Sequence, residues 1–405
     1  MNEKLPIPEN EMKRAICLSD YDLDYAAMQT AFEPLTRLAA AIADTEISVI
    51  NLIDTFTQWT VSQYGLPLEQ MPREDSVCQY AILDKKPFEI KDLSADKRFA
   101  DKDYVLNGPK LHYYLGIPLT TNDGYNLGAL CVLDKTEKKI EPEKLALLQI
   151  IANEVINRLT TMKKINDLSS LADEAVATRK KVAHDIRGPL GGIVGLSQII
   201  RDEGSNMKMD GILEFVNLIE KSSHSLIDLA EEILNNKKNP ESKKITDKNQ
   251  LLDLNQFKEK LDRLYVPQAK MKNIAFTVNT TAKTAQNPFL KTKLLQIAGN
   301  LISNAMKFTP VNGQITVELG LETEQAQNFL NIVVKDSGVG LDEKTILYIL
   351  HGGSTTTHGT SGESGYGLGL PLVRHLVLGL NGTMHISSKP GEGTVFKVGI
   401  PQVRV

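Results

Sequence analysis

The sequence predicts a multidomain α+β protein: a mixed α/β module, a helical linker, an antiparallel helical hairpin and a C-terminal α/β sandwich. Three observations lead there. A chain of 405 residues exceeds one ordinary core, because single cores stop growing beyond roughly 250–300 residues. Strand-period and helix-period stretches mix in the first and last thirds. Between them, residues 143–204 hold scarcely a helix breaker before Gly188 and repeat apolar residues at coiled-coil spacing. The expected segments are a polar lead over 1–19, a module over 20–159, a coiled-coil helix over 160–178, a hairpin over 179–238, a linker over 239–252 and a last domain over 253–405.

Composition narrows the class. Hydrophobic residues at 41% and charged residues at 24% are an ordinary globular balance, which argues against wholesale disorder. A net charge of -4 supplies no broad basic field, so no nucleic-acid partner is expected. Cys17, Cys78 and Cys131 stand far apart without a Cys-x-x-Cys pair, which supports neither a zinc site nor a disulfide framework and fits a reducing cytoplasm. Residues 1–8 lack the apolar core of a signal peptide, and no apolar run approaches the roughly 18 residues of a membrane helix. A cytoplasmic location with no membrane span is the expectation.

In the first module, residues 25–43 read as a helix. Strand-like runs follow at 46–54, 58–62, 87–90, 114–118 and 127–133, with a helical stretch at 77–83 and a closing apolar-periodic helix at 142–159. The phrases Ser48-Val49-Ile50-Asn51-Leu52-Ile53-Asp54, Tyr114-Leu115-Gly116-Ile117-Pro118-Leu119 and Leu127-Gly128-Ala129-Leu130-Cys131-Val132-Leu133-Asp134 stand in this order. With Pro72-Arg73-Glu74-Asp75-Ser76-Val77-Cys78, they resemble a GAF domain. That resemblance implies a sensor fold for an unknown small-molecule or protein signal. Cys78 reads as a buried small hydrophobe; Cys78-Gln79-Tyr80 lacks the adjacent histidine of a bilin-binding cysteine. Residues 99–103 partly resemble a cyclic-nucleotide signature but depart from it at Tyr104, and read as a solvated loop.

Along the connecting helix, Leu148, Ala152, Val155, Leu159 and Met162 follow one seam, and Ile165, Leu168, Ala172 and Ala175 resume it after a three-residue slip. Such a seam predicts a parallel two-chain pair with a local change of winding. The alternative is a single helix packed on its own domain. As a conductor between module and hairpin, the helix should transmit rotation.

The hairpin carries Val182-Ala183-His184-Asp185-Ile186-Arg187-Gly188-Pro189-Leu190. At about 100° per residue, Gly188, Gly191 and Gly195 fall within about 40° of His184, while Val182, Ile186, Leu190, Ile193 and Ile200 gather opposite. His184 therefore faces outward above a glycine-cleared face that another protein surface could approach. The alternative is a helix simply broken at Gly188-Pro189. The Asp185 carboxylate can fix the imidazole tautomer and raise the basicity of the other nitrogen, which makes His184 a nucleophile candidate toward a γ-phosphate. A second amphipathic helix is expected over residues 211–236, with Ile212, Phe215, Val216, Ile219, Leu226, Leu229 and Ile233 on its apolar face. Two such hairpins would bury both faces as the four-helix bundle of a homodimer.

His184-Asp185-Ile186-Arg187-x-Pro189-Leu190 resembles the phosphoacceptor motif of sensor histidine kinases. This implies autophosphorylation of His184, with Asp185 polarising it, and transfer to an aspartate in the receiver domain of a response regulator. With no receiver after residue 405 in this sequence, that regulator is expected to be a separate partner. Gly188 stands where the family usually has Thr or Asn, a side chain implicated in positioning water, so little phosphatase activity is expected.

In the last domain, helices are expected at 254–271, 291–308 and 370–380, and strands at 274–279, 313–321, 329–335, 383–387 and 393–400. Three motifs carry its chemistry. Asn300 and Asn304 share a helical face with Lys307 one turn on; amide oxygens suit Mg²⁺ and the lysine can face phosphates. Asp336-Ser337-Gly338-Val339-Gly340 follows a strand, presenting a carboxylate to an amino group such as that of adenine, and its glycines permit close backbone approach. Gly365, Gly367 and Gly369 lead into a helix whose N-terminal amides suit phosphate. A Gly/Ser/Thr-rich stretch, 351–364, precedes them as an expected lid. In this order the motifs resemble the N box and two glycine boxes of the Bergerat-type ATP-binding domain, and the turn at 391–396, with Thr394, completes the pattern. The resemblance implies ATP and Mg²⁺ as ligands. It departs at the lid, where Ile349-Leu350-His351 replaces the usual phenylalanine-centred box. Two alternatives stay open: a nonenzymatic dimeric scaffold or degenerate kinase, and a Bergerat-fold ATPase or serine kinase that does not need His184.

Overall fold

The computed structural model describes residues 6–23, 28–68, 70–203, 209–235, 251–281, 285–290, 293–324, 327–351, 353, 359–360 and 367–402. It divides into two compact units, the larger from residues 1–164 and 250–402 and the smaller built on 165–249.

The larger unit opens with α1 (Glu11–Ser19), inside the stretch expected as a polar lead. That reading is corrected. Ala15 and Leu18 are buried and Met12 and Ile16 are partly so, an i, i+3, i+4 stripe that the charges of Glu11, Lys13 and Arg14 obscure in the sequence. Then come α2 (Gln29–Ala43), β1 (Ile47–Ile53), β2 (Thr57–Tyr64), β3 (Gln70–Pro72), α3 (Cys78–Ala81), β4 (Phe88–Ile90), α4 (Asp103–Leu106), β5 (Tyr113–Thr120) and β6 (Asn126–Asp134). The strands form one sheet, β3-β2-β1-β6-β5-β4, antiparallel throughout. Its two-residue alternation sends Ile50, Leu52, Ile117 and Leu130 to one core and Val49, Ile53, Tyr114 and Cys131 to another. The first core is covered by α2 and by the start of α5 (Pro142–Glu203).

That packing corrects the coiled-coil reading over the first part of the seam. Leu148, Ala152, Val155 and Leu159 are no more than 2% exposed, buried against their own chain's sheet. An apolar stripe at helical spacing says which side of a helix is covered, not what covers it. Farther along, Ile165 and Leu168 are exposed.

In the smaller unit α5 stays helical through Gly188 and Pro189, so the broken-helix alternative is not realised. It is followed by α6 (Met209–Asn235). Leu190, Val194, Leu213 and Val216 are exposed on these helices.

The C-terminal part of the larger unit runs β7 (Leu251–Leu252), α7 (Leu254–Met271), β8 (Ala275–Thr280), β9 (Phe289–Leu290), α8 (Leu294–Phe308), β10 (Gln314–Glu324), β11 (Gln327–Asp336), α9 (Glu343–Leu350), α10 (Gly369–Gly379), β12 (Thr383–Lys389) and β13 (Gly393–Gln402). A capping box starts α7: the Gln256 amide donates to the Asp253 carboxylate at 2.8 Å, and the Asp253 amide donates to the Gln256 side chain. The main sheet has the order β12-β13-β11-β10-β8, with only the β8–β10 pair parallel. A parallel pair requires a crossover, and α8 supplies it. Helices α7, α8 and α10 bury Phe257, Leu261, Ile297, Leu301, Leu372 and Leu376 with Ile332 and Val334 of the sheet, a two-layer α/β sandwich.

Candidate functional site

Helix α8 supplies the first wall. Asn300, Asn304 and Lys307 are all buried on the face their spacing implies. Asn304 and Lys307 line a cavity of about 410 Å³, within the rough range of 300–1,000 Å³ for small-ligand pockets. Asn304 Nδ2 is buried without a hydrogen-bond partner. Such an orphaned donor is costly unless a ligand acceptor satisfies it, and rotation about its last torsion presents Oδ1 to the same space.

The C-terminal end of α8 is tied down by a cation. Lys272 Nζ donates to the carbonyls of Met306 and Lys307, at 2.8 and 3.1 Å, and to Thr360 Oγ1 at 3.0 Å. An ammonium at this end matches the negative pole of the helix. Thr360 in turn donates its amide to Lys307 O at 3.1 Å.

The second wall is the turn after β11. Asp336 and Thr394 are register partners on β11 and β13. Asp336 Oδ1 accepts from the Gly338 amide at 2.8 Å and the Thr394 amide at 3.2 Å, which leaves Oδ2 for a ligand donor. Burial pushes the Asp336 pKa up despite those two bonds. Two glycines make the turn possible. Gly340 has φ +68° and a Cβ there would overlap the Lys389 carbonyl, while a Cβ at Gly338 would crowd Phe308 O and the Asp336 carboxylate. Gly338 thus shapes the turn without lining the cavity, whereas Gly340 lines it.

Gly367, at φ +69°, and Gly369, the first residue of α10, complete the wall together with Thr394, whose hydroxyl lies 2.9 Å from Ser388 Oγ. Gly365, most of the 351–364 stretch, and the side chains of His184 and Asp185 lie outside the described residues. His184 and Asp185 themselves fall within α5.

Several lining residues have no counterpart in the sequence reading. Thr345 of α9 is one, whereas Ile349 and Phe396 fall at the expected lid box and in the 391–396 turn. Phe56 comes from the turn between β1 and β2 of the other sheet, and no local pattern marks it. Beside it, Thr55 Oγ1 hydrogen-bonds Asn300 Oδ1, so Asn300 lies apart from the cavity that holds Asn304. The three cysteines also differ from expectation in one respect: Cys78 and Cys131 meet, Sγ to Sγ, at 3.2 Å in the second core of the N-terminal sheet.

Residues 290–404 match the family described as histidine kinase-, DNA gyrase B-, and HSP90-like ATPase, which gives this segment its class. Over 162 residues, 40% of this chain, the sequence is 36% identical to a cyclic di-GMP phosphodiesterase of Pseudomonas aeruginosa, covering 28% of that protein. Over 246 residues, 60% of this chain, it is 30% identical to the aerobic respiration control sensor protein ArcB of Escherichia coli, covering 31% of it. The chain thus spans less than a third of the length of these curated relatives. A solved structure of the histidine kinase ThkA in complex with the response regulator protein TrrA is similar at 19% identity and a TM-score of 0.30, over 73% of this chain and 76% of that one. Among the described residues no helix is long and apolar enough to cross a membrane.

Proposed function

We propose that this chain is an ATP-dependent protein-histidine kinase that phosphorylates His184 and passes the phosphoryl group to an aspartate of a separate response regulator. The observation that carries the reading is the cavity at the junction of α8, the Asp336 turn and α10, inside the segment that matches the ATPase family. Asp336 Oδ2 would accept the exocyclic amine of adenine, and the turn glycines Gly338 and Gly340 would admit the ring edge. The start of α10, with Gly365, Gly367 and Gly369, would receive the phosphates, and Thr394 would hold Asp336 in place.

The unpartnered Nδ2 of Asn304 would donate to a phosphate oxygen or, with the amide rotated, give way to Oδ1, the atom that suits a hard cation. Asn304 and, once free, Asn300 would hold Mg²⁺, which when bound offsets phosphate charge; Lys307 adds a second positive group. In the reaction one imidazole nitrogen of His184, polarised by Asp185, attacks the γ-phosphorus. A P–N bond forms as the bond to the β–γ bridging oxygen breaks, and the electron pair leaves with ADP.

The exposed apolar residues of α5 and α6 support a homodimer in which two hairpins make a four-helix bundle. The N-terminal domain, over residues 20–159, is read as a GAF-like sensor of a cytoplasmic signal, with the coiled-coil helix over 160–178 and the hairpin over 179–238 carrying that signal to the domain at 253–405. Incubation with γ-labelled ATP tests the assignment. Acid-labile, alkali-stable label that disappears in His184→Ala is the expected result; acid-stable label, or hydrolysis without labelling, would refute it.

A further inference from the structure

We propose that the turn between β1 and β2 is an autoinhibitory clasp that withholds Asn300 from Mg²⁺ until a change in the N-terminal domain moves it. The proposal rests on the kinase reading above and identifies the contact that regulates it.

Both polar atoms of Asn300 already hold a partner. Its Oδ1 accepts from Thr55 Oγ1 and its Nδ2 donates to Gln296 O at 2.8 Å. Only 3% of the residue is exposed. Mg²⁺ dehydrates reluctantly and keeps several waters, so an amide oxygen covered in this way cannot join its coordination shell. The next residue, Phe56, blocks the phosphate side: its ring packs on Gly369 where any side chain at that position would overlap it. Asn304, one helical turn on, remains open to the cavity with its amide unsatisfied.

The turn is held firmly in that position. Arg14 donates to Ile53 O at 2.6 Å and Arg73 to Asp54 O at 3.1 Å, and both guanidiniums pair with the Glu11 carboxylate. Helix α1, which carries two of these three charges, puts Ala15 into the C-terminal core and Leu18 into the N-terminal one. A second tie lies just ahead of α8, where the Lys293 amide donates to Asp22 at 2.8 Å and its ammonium meets Asp20 at 3.2 Å. A third joins Gln70 of β3 to Leu264 O of α7. Because Thr55 and Phe56 join the paired strands β1 and β2 of the N-terminal sheet, a ligand that shifts those strands acts on them directly.

Clasp and Mg²⁺-nucleotide compete for Asn300, so each must weaken the other by the same factor. In the full chain, binding of a fluorescent ATP analogue is measured with and without Mg²⁺ for wild type, Thr55→Val and Asp336→Asn. Thr55→Val is expected to bind as wild type does without Mg²⁺ and about 5-fold or more tighter with it, with a matching rise in the initial rate of histidine labelling. Asp336→Asn should lose binding under both conditions. In wild type, hydrogen exchange at residues 53–57 should accelerate when Mg²⁺ and the analogue are added together, and not with the analogue alone. Identical Mg²⁺ dependence of wild type and Thr55→Val, or unchanged exchange at 53–57, overturns the clasp; should Thr55→Val not fold, the wild-type exchange decides. Full binding by Asp336→Asn, or none by any variant, overturns the nucleotide reading and the clasp with it.

Discussion

Asp336 Oδ1 accepts the backbone amide of Thr394 across the β11–β13 pair at 3.2 Å, which fixes a buried carboxylate at the floor of the cavity. The bond couples sheet register to the position of the carboxylate proposed to bind the base. A one-residue slip of β13 would turn Thr394 away and leave the carboxylate with the Gly338 amide alone.

The same carboxylate should trade stability for binding. Its pKa lies above the unfolded value of 3.8 because burial disfavours the charge. A group raised in the fold contributes most below its unfolded pKa and loses that contribution as pH rises through the folded one. At pH 7 Asp336 therefore costs stability in the empty domain. Asp336→Asn is expected to raise the unfolding temperature of the ligand-free chain by about 1–3 °C and to abolish the further rise caused by ADP. Calorimetric scans with and without ADP check both parts, and a persistent ADP effect would contradict the role.

Glu11 should behave in the opposite sense. Burial pushes its pKa up, but the charges of Arg14 and Arg73 outweigh that and bring it below 4.5. Its contribution is present above pH 4.5 and is lost as pH falls through the lowered folded value. Glu11→Gln leaves two buried guanidiniums without their carboxylate, a loss of about 3–5 kcal/mol. Urea titrations from pH 3 to 7 should show a less stable variant whose stability depends less steeply on pH below 4.5.

The two halves of the helical seam should respond differently to truncation. Leu148 is wholly buried against its own sheet, so Leu148→Ala is expected to cost about 2–5 kcal/mol at any protein concentration. Leu168 is exposed in the single chain. Leu168→Ala should act only through association, with a midpoint that varies with concentration. A concentration-dependent loss for Leu148→Ala would show that this half also joins two chains.

Removal of the ammonium that ties down α8 should weaken the site from behind. Lys272→Met loses charged hydrogen bonds to two helix-end carbonyls and to Thr360, each worth about 1.5–3 kcal/mol. The expected outcome is a lower melting temperature and weaker nucleotide binding, with the binding defect largest for triphosphate because Lys307 lies at that end. Equal loss for ADP and ATP analogues would place the effect on the fold alone.

Much of the architecture was legible because it depends on local periodicity. The limits of α7 are those read from the sequence, and the strands at β5, β6, β10 and β13 depart by only a few residues. Asn300, Asn304 and Lys307 share a face because 3.6 residues make a turn, whatever surrounds them. Helix α1 escaped notice because charged residues interrupt its apolar stripe, and those charges find partners only in the folded chain: Glu11 with Arg73, 62 residues away.

The sequence by itself determined the element types, the alternation that buries both faces of the first sheet, and the ordered spacing of the amide, carboxylate and glycine groups. Each follows from interactions among near neighbours along the chain. Tertiary structure alone decided that Leu148 to Leu159 face their own sheet, that Phe56 walls a cavity otherwise built more than 240 residues away, and that Thr55 occupies the oxygen of Asn300. The physical reason is common to all three. A helix face or a turn specifies what it can bury or bond, and only the packing of distant segments selects the partner that does so.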